Sequence, residues 1–220
     1  MWFFELLLPS QCACCKRPGP LVCASCRDGL LEIRGPLCTR CGAPTAWPVD
    51  RCLECAGRRL AFASARAAVF YAGPARPFMR RWKEGGLRPL AAKAAEIVVE
   101  LVPRPAADVI TYIPPDGDRS LRRGHQPAHG LARELGRRWG LEVEPLVTRR
   151  RKVARQTGLS LEARRRNMRG AFEVRGPIHG AAVLVDDVYT TGATVAAAAS
   201  ALRSGGASAV HVVTLARALR

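Results

Sequence analysis

Several features that mark common protein classes are scarce or missing in this 220-residue chain. No apolar run approaches the roughly 20 residues of a membrane-spanning helix, so we expect a soluble protein. The start, MWFFELLLPSQC, has neither a basic region nor a small-residue cleavage pattern, which argues against a secretory signal. We expect a short docking helix there, with a signal or lipoprotein anchor as the rival interpretation. The length suits one ordinary domain plus a small one.

Acidic residues are also scarce: 18 Asp and Glu face 35 Lys and Arg, giving a formal net charge of +17. The surplus is concentrated in residues 147–180, which we predict to be a flexible basic segment with ten Lys or Arg against two Glu. Such a segment attracts polyanions, and a solvated basic face without a partner is nearly as good an interpretation. Aromatic residues are few (4 Trp, 3 Tyr and 6 Phe), and none lies in the run RRRK, so base stacking there is not supported.

Cysteine, by contrast, is abundant, and eight of the nine cysteines fall into four CxxC pairs. Two cysteines three positions apart on a tight knuckle can bind one metal, and two knuckles complete a tetrahedral structural zinc site. We therefore predict two four-thiolate zinc sites within a module of roughly residues 1–60. Pairing neighbours gives Cys12, Cys15, Cys23 and Cys26 for one site, and Cys38, Cys41, Cys52 and Cys55 for the other.

Spacing alone does not exclude a crossed pairing of the knuckles, and Cys14 is predicted to be a bystander between ligands. A set of reduced core cysteines or a redox CxxC explains one pair but hardly four. Because zinc–thiolate sites require reduced cysteines, the pattern also predicts a cytoplasmic protein.

The remaining residues, 61–220, alternate strand-like and helix-like segments. Strands are predicted at RAAVFYAG, DVITYIPP, LEVEPLV, AAVLVDD and SAVHVVTL, with helices between most of them. This alternation predicts an α/β domain with a mostly parallel sheet flanked by helices, and a ligand at the carboxyl ends of the strands.

The stretch VLVDDVYTTGAT at residues 183–194 carries the strongest functional signal. It predicts a buried strand, two carboxylates at the strand end, and a hydroxyl-rich turn into a helix. Free backbone N–H groups at a helix N-terminus favour a phosphate, and Gly192 lets the backbone approach it. The hydroxyls of Thr190, Thr191 and Thr194 add donors, while Asp186 and Asp187 can accept hydrogen bonds from sugar hydroxyls. The pattern therefore indicates a ribose 5-phosphate site, although in a generic DxxTTG an ordinary strand end and helix cap are equally good explanations.

A second strand-to-helix loop, residues 114–126, is predicted to lie on the same edge of the sheet. Its Arg122 and Arg123 are candidates for gripping a pyrophosphate, because guanidinium groups bind phosphates bidentately. Lys83, in RWKEGG, could reach the same anion, but this sequence is equally typical of a helix end. His125 and His129 are interpreted as surface or loop residues.

The stretch at residues 183–194 resembles the phosphoribosyl diphosphate (PRPP) motif of type I phosphoribosyltransferases. The resemblance implies a ribose-binding role for Asp186 and Asp187. It also implies a 5-phosphate loop made of Tyr189, Thr190, Thr191, Gly192, Ala193 and Thr194.

The order of motifs along the whole chain resembles the ComF/GntX family. These motifs are LLLP, four zinc knuckles, KEGG, PP…RRGHQPA, RQTGLS…RRRN and VLVDDVYTTGAT. The resemblance implies a double zinc ribbon at residues 1–60 and a type I phosphoribosyltransferase-like domain at residues 61–220. It further implies binding of PRPP with Mg²⁺ and a role in handling single-stranded DNA during natural transformation. The sequence GHQPA departs from the usual family pattern at His125 and Gln126, where an aromatic residue and Asn are expected.

Two functional hypotheses follow from these features. In one, the chain is a phosphoribosyltransferase in which a nitrogen nucleophile displaces pyrophosphate from PRPP. In the other, which we favour, PRPP binding accompanies a role in DNA uptake, with single-stranded DNA, a helicase or other uptake proteins as partners.

Overall fold

A computed structural model of the chain describes residues 10–115, 125–150 and 170–219. The predicted docking helix at the start, the candidates Arg122 and Arg123, and most of the basic segment lie outside the described residues. Within them, no helix has both the length and the hydropathy needed to cross a bilayer.

Five of the seven described strands form one parallel sheet. The strands are β1 (Ser64–Phe70), β2 (Val109–Tyr112), β3 (Glu142–Val143), β4 (Val147–Arg149), β5 (Phe172–Val174), β6 (Ala181–Tyr189) and β7 (Ala209–Arg217). The order across the sheet is β1-β7-β6-β2-β3, and every pairing in it is parallel. Strands β4 and β5 pair with each other in an antiparallel ribbon. The predicted fold class, an α/β domain with a mostly parallel sheet, is confirmed.

Five α-helices are described, and their ends follow local signals in the sequence. They are α1 (Ala24–Asp28), α2 (Ala75–Lys83), α3 (Leu90–Leu101), α4 (Pro127–Trp139) and α5 (Ala193–Ser204). Helix α4 begins with proline, whose missing N–H costs nothing at that position, and ends at Gly140 in the left-handed region. Helix α3 ends where Val102 becomes extended, as expected of a residue that precedes a proline.

The sheet has a hydrophobic core on each of its two faces, because successive strand residues point to opposite sides. Val183 and Val185 of β6 pack in one core together with α2, α3 and α4. Ala182 and Leu184 pack in the other core with α5 and the β4–β5 ribbon. The segment with the four CxxC pairs, residues 10–60 of the described part, is called the cysteine-rich module below. It packs against both cores, because Ala13 and Cys14 join the first, while Cys38, Cys41 and Cys55 join the second.

The cysteine-rich module also covers the outer edge of β1, which would otherwise be an exposed strand edge. The N–H groups of Ile33 and Ala65 donate to the carbonyls of Ala68 and Arg40, at 2.9 Å each. The contact is close at Gly42, which has a φ of 68°, and a Cβ there would overlap the carbonyl oxygen of Ala65. Glycine is therefore required both by the left-handed turn of the knuckle and by its packing on β1.

Two strand predictions differ from the structure. LEVEPLV, predicted as one strand, is divided into β3 and β4, which belong to different sheets. Pro145 lies at the break, where a residue without an N–H cannot continue a ladder. Strand β6 continues beyond the acidic pair to Tyr189, because Val188 and Tyr189 remain paired with Ala216 and Arg217 of β7.

Candidate functional site

The eight CxxC thiols gather into two groups of four, and each group is formed by neighbouring knuckles. The first cluster is Cys12, Cys15, Cys23 and Cys26, and the second cluster is Cys38, Cys41, Cys52 and Cys55. Sulfur–sulfur distances are 3.8 Å for Cys15–Cys23 and between 3.4 and 3.9 Å for three pairs in the second cluster. Tetrahedral Zn²⁺ with bonds of about 2.3 Å needs separations of about 3.8 Å. Both clusters therefore fit a structural zinc ion, which would cross-link its two knuckles, and neither uses the crossed pairing.

Backbone N–H groups prepare one cysteine of each cluster for metal binding. Those of Cys14 and Cys23 lie 3.4 Å from the Cys12 sulfur. Burial acts to raise the pKa of Cys12, but backbone donors outweigh it and lower the pKa to about 6. In Cys38 burial is outweighed in the same way, and the pKa falls to about 7. Burial raises the pKa of Cys14 to about 12, and Cys14 belongs to neither thiol cluster.

The two adjacent carboxylates lie in β6 on the edge of the sheet where the strands end. Asp187 is 15% exposed, and its Oδ1 lies 2.8 Å from the Nζ of Lys83, the last residue of α2. The structure therefore brings together three residues predicted from two separate motifs, Lys83 from one and the two carboxylates from the other. Lys83 pairs with the carboxylate that was expected to face the ribose.

Asp186 is held in a setting that disfavours its charged form. Burial, followed by repulsion from Asp187, raises the pKa of Asp186 to about 7. The N–H of Asp187, 2.9 Å from Asp186 Oδ1, opposes this shift, as do the positive charges of Lys83 and Arg149. A carboxyl with a strongly raised pKa beside other charged groups is a candidate for a binding or catalytic position.

We expect Asp186→Asn to raise the thermal midpoint of the ligand-free protein at pH 8 by about 5 °C. The unfolded carboxyl ionises near 3.8 and the folded one near 7, so the wild type loses stability as the pH rises through this window. Asn does not titrate and avoids that loss, so the gain should vanish at pH 4. Thermal denaturation of both proteins at pH 4 and pH 8 measures the effect. An equal shift at the two pH values would contradict the assigned cause.

The threonine turn, residues 190–194, joins β6 to α5. Gly192, with a φ of 71°, immediately precedes α5, and Thr191 Oγ1 accepts a hydrogen bond from the N–H of Ala193 at 3.2 Å. Thr190 is exposed, while Thr191 and Thr194 are half-buried. The N–H groups in the first turn of a helix have no acceptor within the helix, and the helix dipole makes this end positive. The turn thus has the features of a phosphate site, next to the acidic pair.

Tyr189 differs from its predicted place in the 5-phosphate loop. It is the last residue of β6 and only 3% exposed, and its hydroxyl lies directly beneath Gly192, where a Cβ would overlap it. Its side chain therefore packs beneath the turn, and a role of Tyr189 in binding a 5-phosphate stays a prediction.

The structure adds two arginines to the site that the motifs did not single out. Arg58, from the cysteine-rich module, donates from Nη2 to the carbonyl of Thr191 at 2.7 Å. Arg149, at the end of β4, donates from Nε to the carbonyl of Pro114 at 3.2 Å and lies close enough to Asp186 to affect its pKa. Arg149 was included only in the basic segment, although its position at a strand end was available as a signal. No local pattern marks Arg58.

Comparison with known proteins bears on both parts of the chain. Residues 3–57 match the double zinc ribbon domain, and residues 121–220 match the phosphoribosyl transferase domain. DNA utilization protein YhgH of Salmonella typhi is 31% identical over 97% of this chain and 100% of its own length. YhgH of Escherichia coli K12 is 30% identical with the same coverage. The chain belongs to the ComF/GntX family.

Another relative of this family member is Competence protein F of Haemophilus influenzae, which is 26% identical over 90% of each chain. Among solved structures, the glutamine PRPP amidotransferase of B. subtilis matches with 26% identity and a TM-score of 0.38. That match covers 59% of this chain and 26% of the amidotransferase.

Proposed function

We propose that this ComF/GntX family member binds PRPP with Mg²⁺ and acts in DNA uptake during natural transformation, in the cytoplasm. In this proposal residues 1–60 bind zinc and residues 61–220 bind the ligand. The main support is one juxtaposition: the threonine turn at the N-terminus of α5 lies next to Asp186 and Asp187, on the edge where the parallel strands end.

Each part of PRPP has a complementary group in this arrangement. The 5-phosphate is assigned to the N–H and hydroxyl donors of residues 190–194, and the ribose hydroxyls to Asp186 and Asp187. The pyrophosphate is assigned to Lys83, and to Arg122 and Arg123, which lie outside the described residues. Lys83 can donate hydrogen bonds to Asp187 and to a phosphate oxygen at the same time, because an ammonium group has three N–H donors.

Calorimetric titration with PRPP and Mg²⁺ tests this proposal most directly. We expect saturable binding of one PRPP per chain, weaker binding of ribose 5-phosphate, and no binding of ribose, which lacks the anchoring phosphate. Absence of heat with PRPP, at protein concentrations that would detect millimolar affinity, would refute the proposal.

The same proposal includes binding of single-stranded DNA. Support comes from the net charge of +17 and from relatives named DNA utilization protein and Competence protein F. We expect affinity for an oligonucleotide to fall by at least tenfold between 50 and 200 mM salt, because phosphate contacts release counterions. Fluorescence anisotropy with a labelled single strand measures this dependence. Lack of binding even at 50 mM salt would remove DNA from the proposal and leave PRPP binding untouched.

A second candidate function is an active phosphoribosyltransferase. The specific observation in its favour is the pair of carboxylates beside a lysine, since Asp186 and Asp187 would stabilise the ribose as it becomes cationic, and Lys83 the departing pyrophosphate. The reaction breaks the bond from C1 to pyrophosphate and forms one from C1 to a nitrogen nucleophile. Pyrophosphate release with a panel of amines and bases distinguishes an enzyme from a protein that only binds PRPP.

A further inference from the structure

Arg217 connects the second cysteine cluster to the end of the sheet. Its side chain is only 4% exposed and emerges from the last residue of β7. Nη1 donates to the carbonyl of Cys41 at 2.7 Å, and Nη2 forms an ion pair with Glu54 at 2.6 Å. Cys41 is a member of the second cluster, and Glu54 lies between its last two cysteines. A buried guanidinium held this way is costly to displace, because removing one partner leaves a charge without compensation.

The same guanidinium supports the threonine turn from below. It lies over the ring of Tyr189, 4.6 Å from the ring centre, and Phe62 contacts that ring edge-on at 6.5 Å. The Tyr189 hydroxyl in turn lies beneath Gly192. A continuous stack therefore runs from the knuckle at Cys41 through Arg217 and Tyr189 to Gly192, the residue immediately before α5.

Arg58 makes a second connection, directly to the backbone of the turn. Nη2 donates to the carbonyl of Thr191 at 2.7 Å, and Nη1 donates to the carbonyl of Glu54 at 3.2 Å. In a trans peptide the carbonyl and the following N–H point in opposite directions. By holding the Thr191 carbonyl towards the cysteine-rich module, Arg58 turns the N–H of Gly192 away from that module.

We propose that the second zinc site positions the phosphate-binding turn, with Arg58 and Arg217 as positioning residues. This inference rests on the proposed function, because it concerns the same phosphate site. Within the described residues no comparable connection joins the first cluster to the turn, and Ala13 and Cys14 beside that cluster pack in the core on the opposite face of the sheet. Coupling between two binding sites is reciprocal, so phosphate binding should also retain the second zinc ion.

The first test compares two neighbouring arginines. Arg58→Ala should weaken ribose 5-phosphate binding by about tenfold, the scale of one lost hydrogen bond to a charged donor. Arg59→Ala removes the same charge from an exposed neighbour and should change the affinity less than twofold. Arg58→Lys, which keeps a charged donor, should fall between them. Titration calorimetry provides the affinities, and thermal denaturation checks that all variants are folded.

The second test measures the rate at which each zinc ion is released, and it does not depend on any enzymatic activity. In the wild type, saturating ribose 5-phosphate should slow the transfer of one of two zinc ions to a chromogenic chelator, and leave the other rate unchanged. In Arg58→Ala this protection should be lost.

The possible outcomes separate the inference from the function on which it rests. Equal affinities of the wild type and Arg58→Ala, or equal protection of both zinc ions, overturn the positioning role while PRPP binding stands. Absence of ribose 5-phosphate and PRPP binding in the wild type overturns both.

Discussion

Replacing Asp187 by Asn should lower the affinity for PRPP by at least a hundredfold. A carboxylate has two acceptor oxygens, whereas an amide offers one and presents an NH₂ donor towards hydroxyls. Hydrogen bonds to charged groups contribute about 1.5–3 kcal/mol each, so losing one or two has this magnitude. The substitution also removes the partner 2.8 Å from Lys83. Calorimetric titration with PRPP and Mg²⁺ measures the loss.

Asp28→Asn is the matched control for this variant. Asp28 ends α1 in the cysteine-rich module and is exposed, so the same change of charge there should leave PRPP affinity unchanged. Ribose 5-phosphate should lose affinity in Asp187→Asn as PRPP does, because both ligands carry the hydroxyls. If PRPP alone is weakened, Asp187 acts through Lys83 on the pyrophosphate, and its assignment to the ribose is wrong.

The sequence predicts those parts of the fold and site that depend on short-range pattern. The apolar run before Asp186 and Asp187 predicts β6, and the hydroxyl-rich turn predicts a helix after it, whose start the structure places at Ala193. Both signals lie within a dozen residues. At this range the pattern of apolar residues and the residue types preferred at a helix start determine the local structure. The four knuckles also follow from spacing, because a CxxC knuckle closes within a single turn, whereas the pairing of neighbouring knuckles is known only from the structure.

Other features depend on contacts between residues distant in the chain, and no local pattern indicates them. RWKEGG indicates Lys83 as a candidate for an anion, but its contact with Asp187 depends on the position of the end of α2 relative to β6. Arg58 and Thr191 are 133 residues apart, and their contact requires the cysteine-rich module to pack along β1 and reach α5. The resemblance to the PRPP motif includes Tyr189 in the 5-phosphate loop, whereas its pairing with Arg217 in β7 keeps it in the strand.

Substituting one cysteine in each cluster should separate the roles of the two zinc sites. Cys41→Ser and Cys26→Ser are each expected to reduce the zinc content from two ions to one, because a closed four-thiolate site loses its metal when a ligand is replaced. Structural zinc contributes about 10 kcal/mol or more to folding of small modules, so both variants should also denature at lower temperature. Cys14→Ser is the control, and should keep two zinc ions because Cys14 belongs to neither cluster. Elemental analysis and thermal denaturation provide these measurements.

The two variants should differ sharply in ligand binding. Cys41 supports Arg217 through its carbonyl, and through Arg217 it supports Tyr189 and the turn above it, so Cys41→Ser should reduce PRPP affinity by at least tenfold. Cys26 belongs to the first cluster, beside Ala13 and Cys14, which pack in the core on the opposite face of the sheet. Cys26→Ser should therefore bind PRPP within about twofold of the wild type at a temperature where the ligand-binding part is folded. Equal losses in both variants would mean that zinc acts through global stability alone. A loss confined to Cys41→Ser requires a local path from the second knuckle to the phosphate, for which the buried Arg217 is the physical connection.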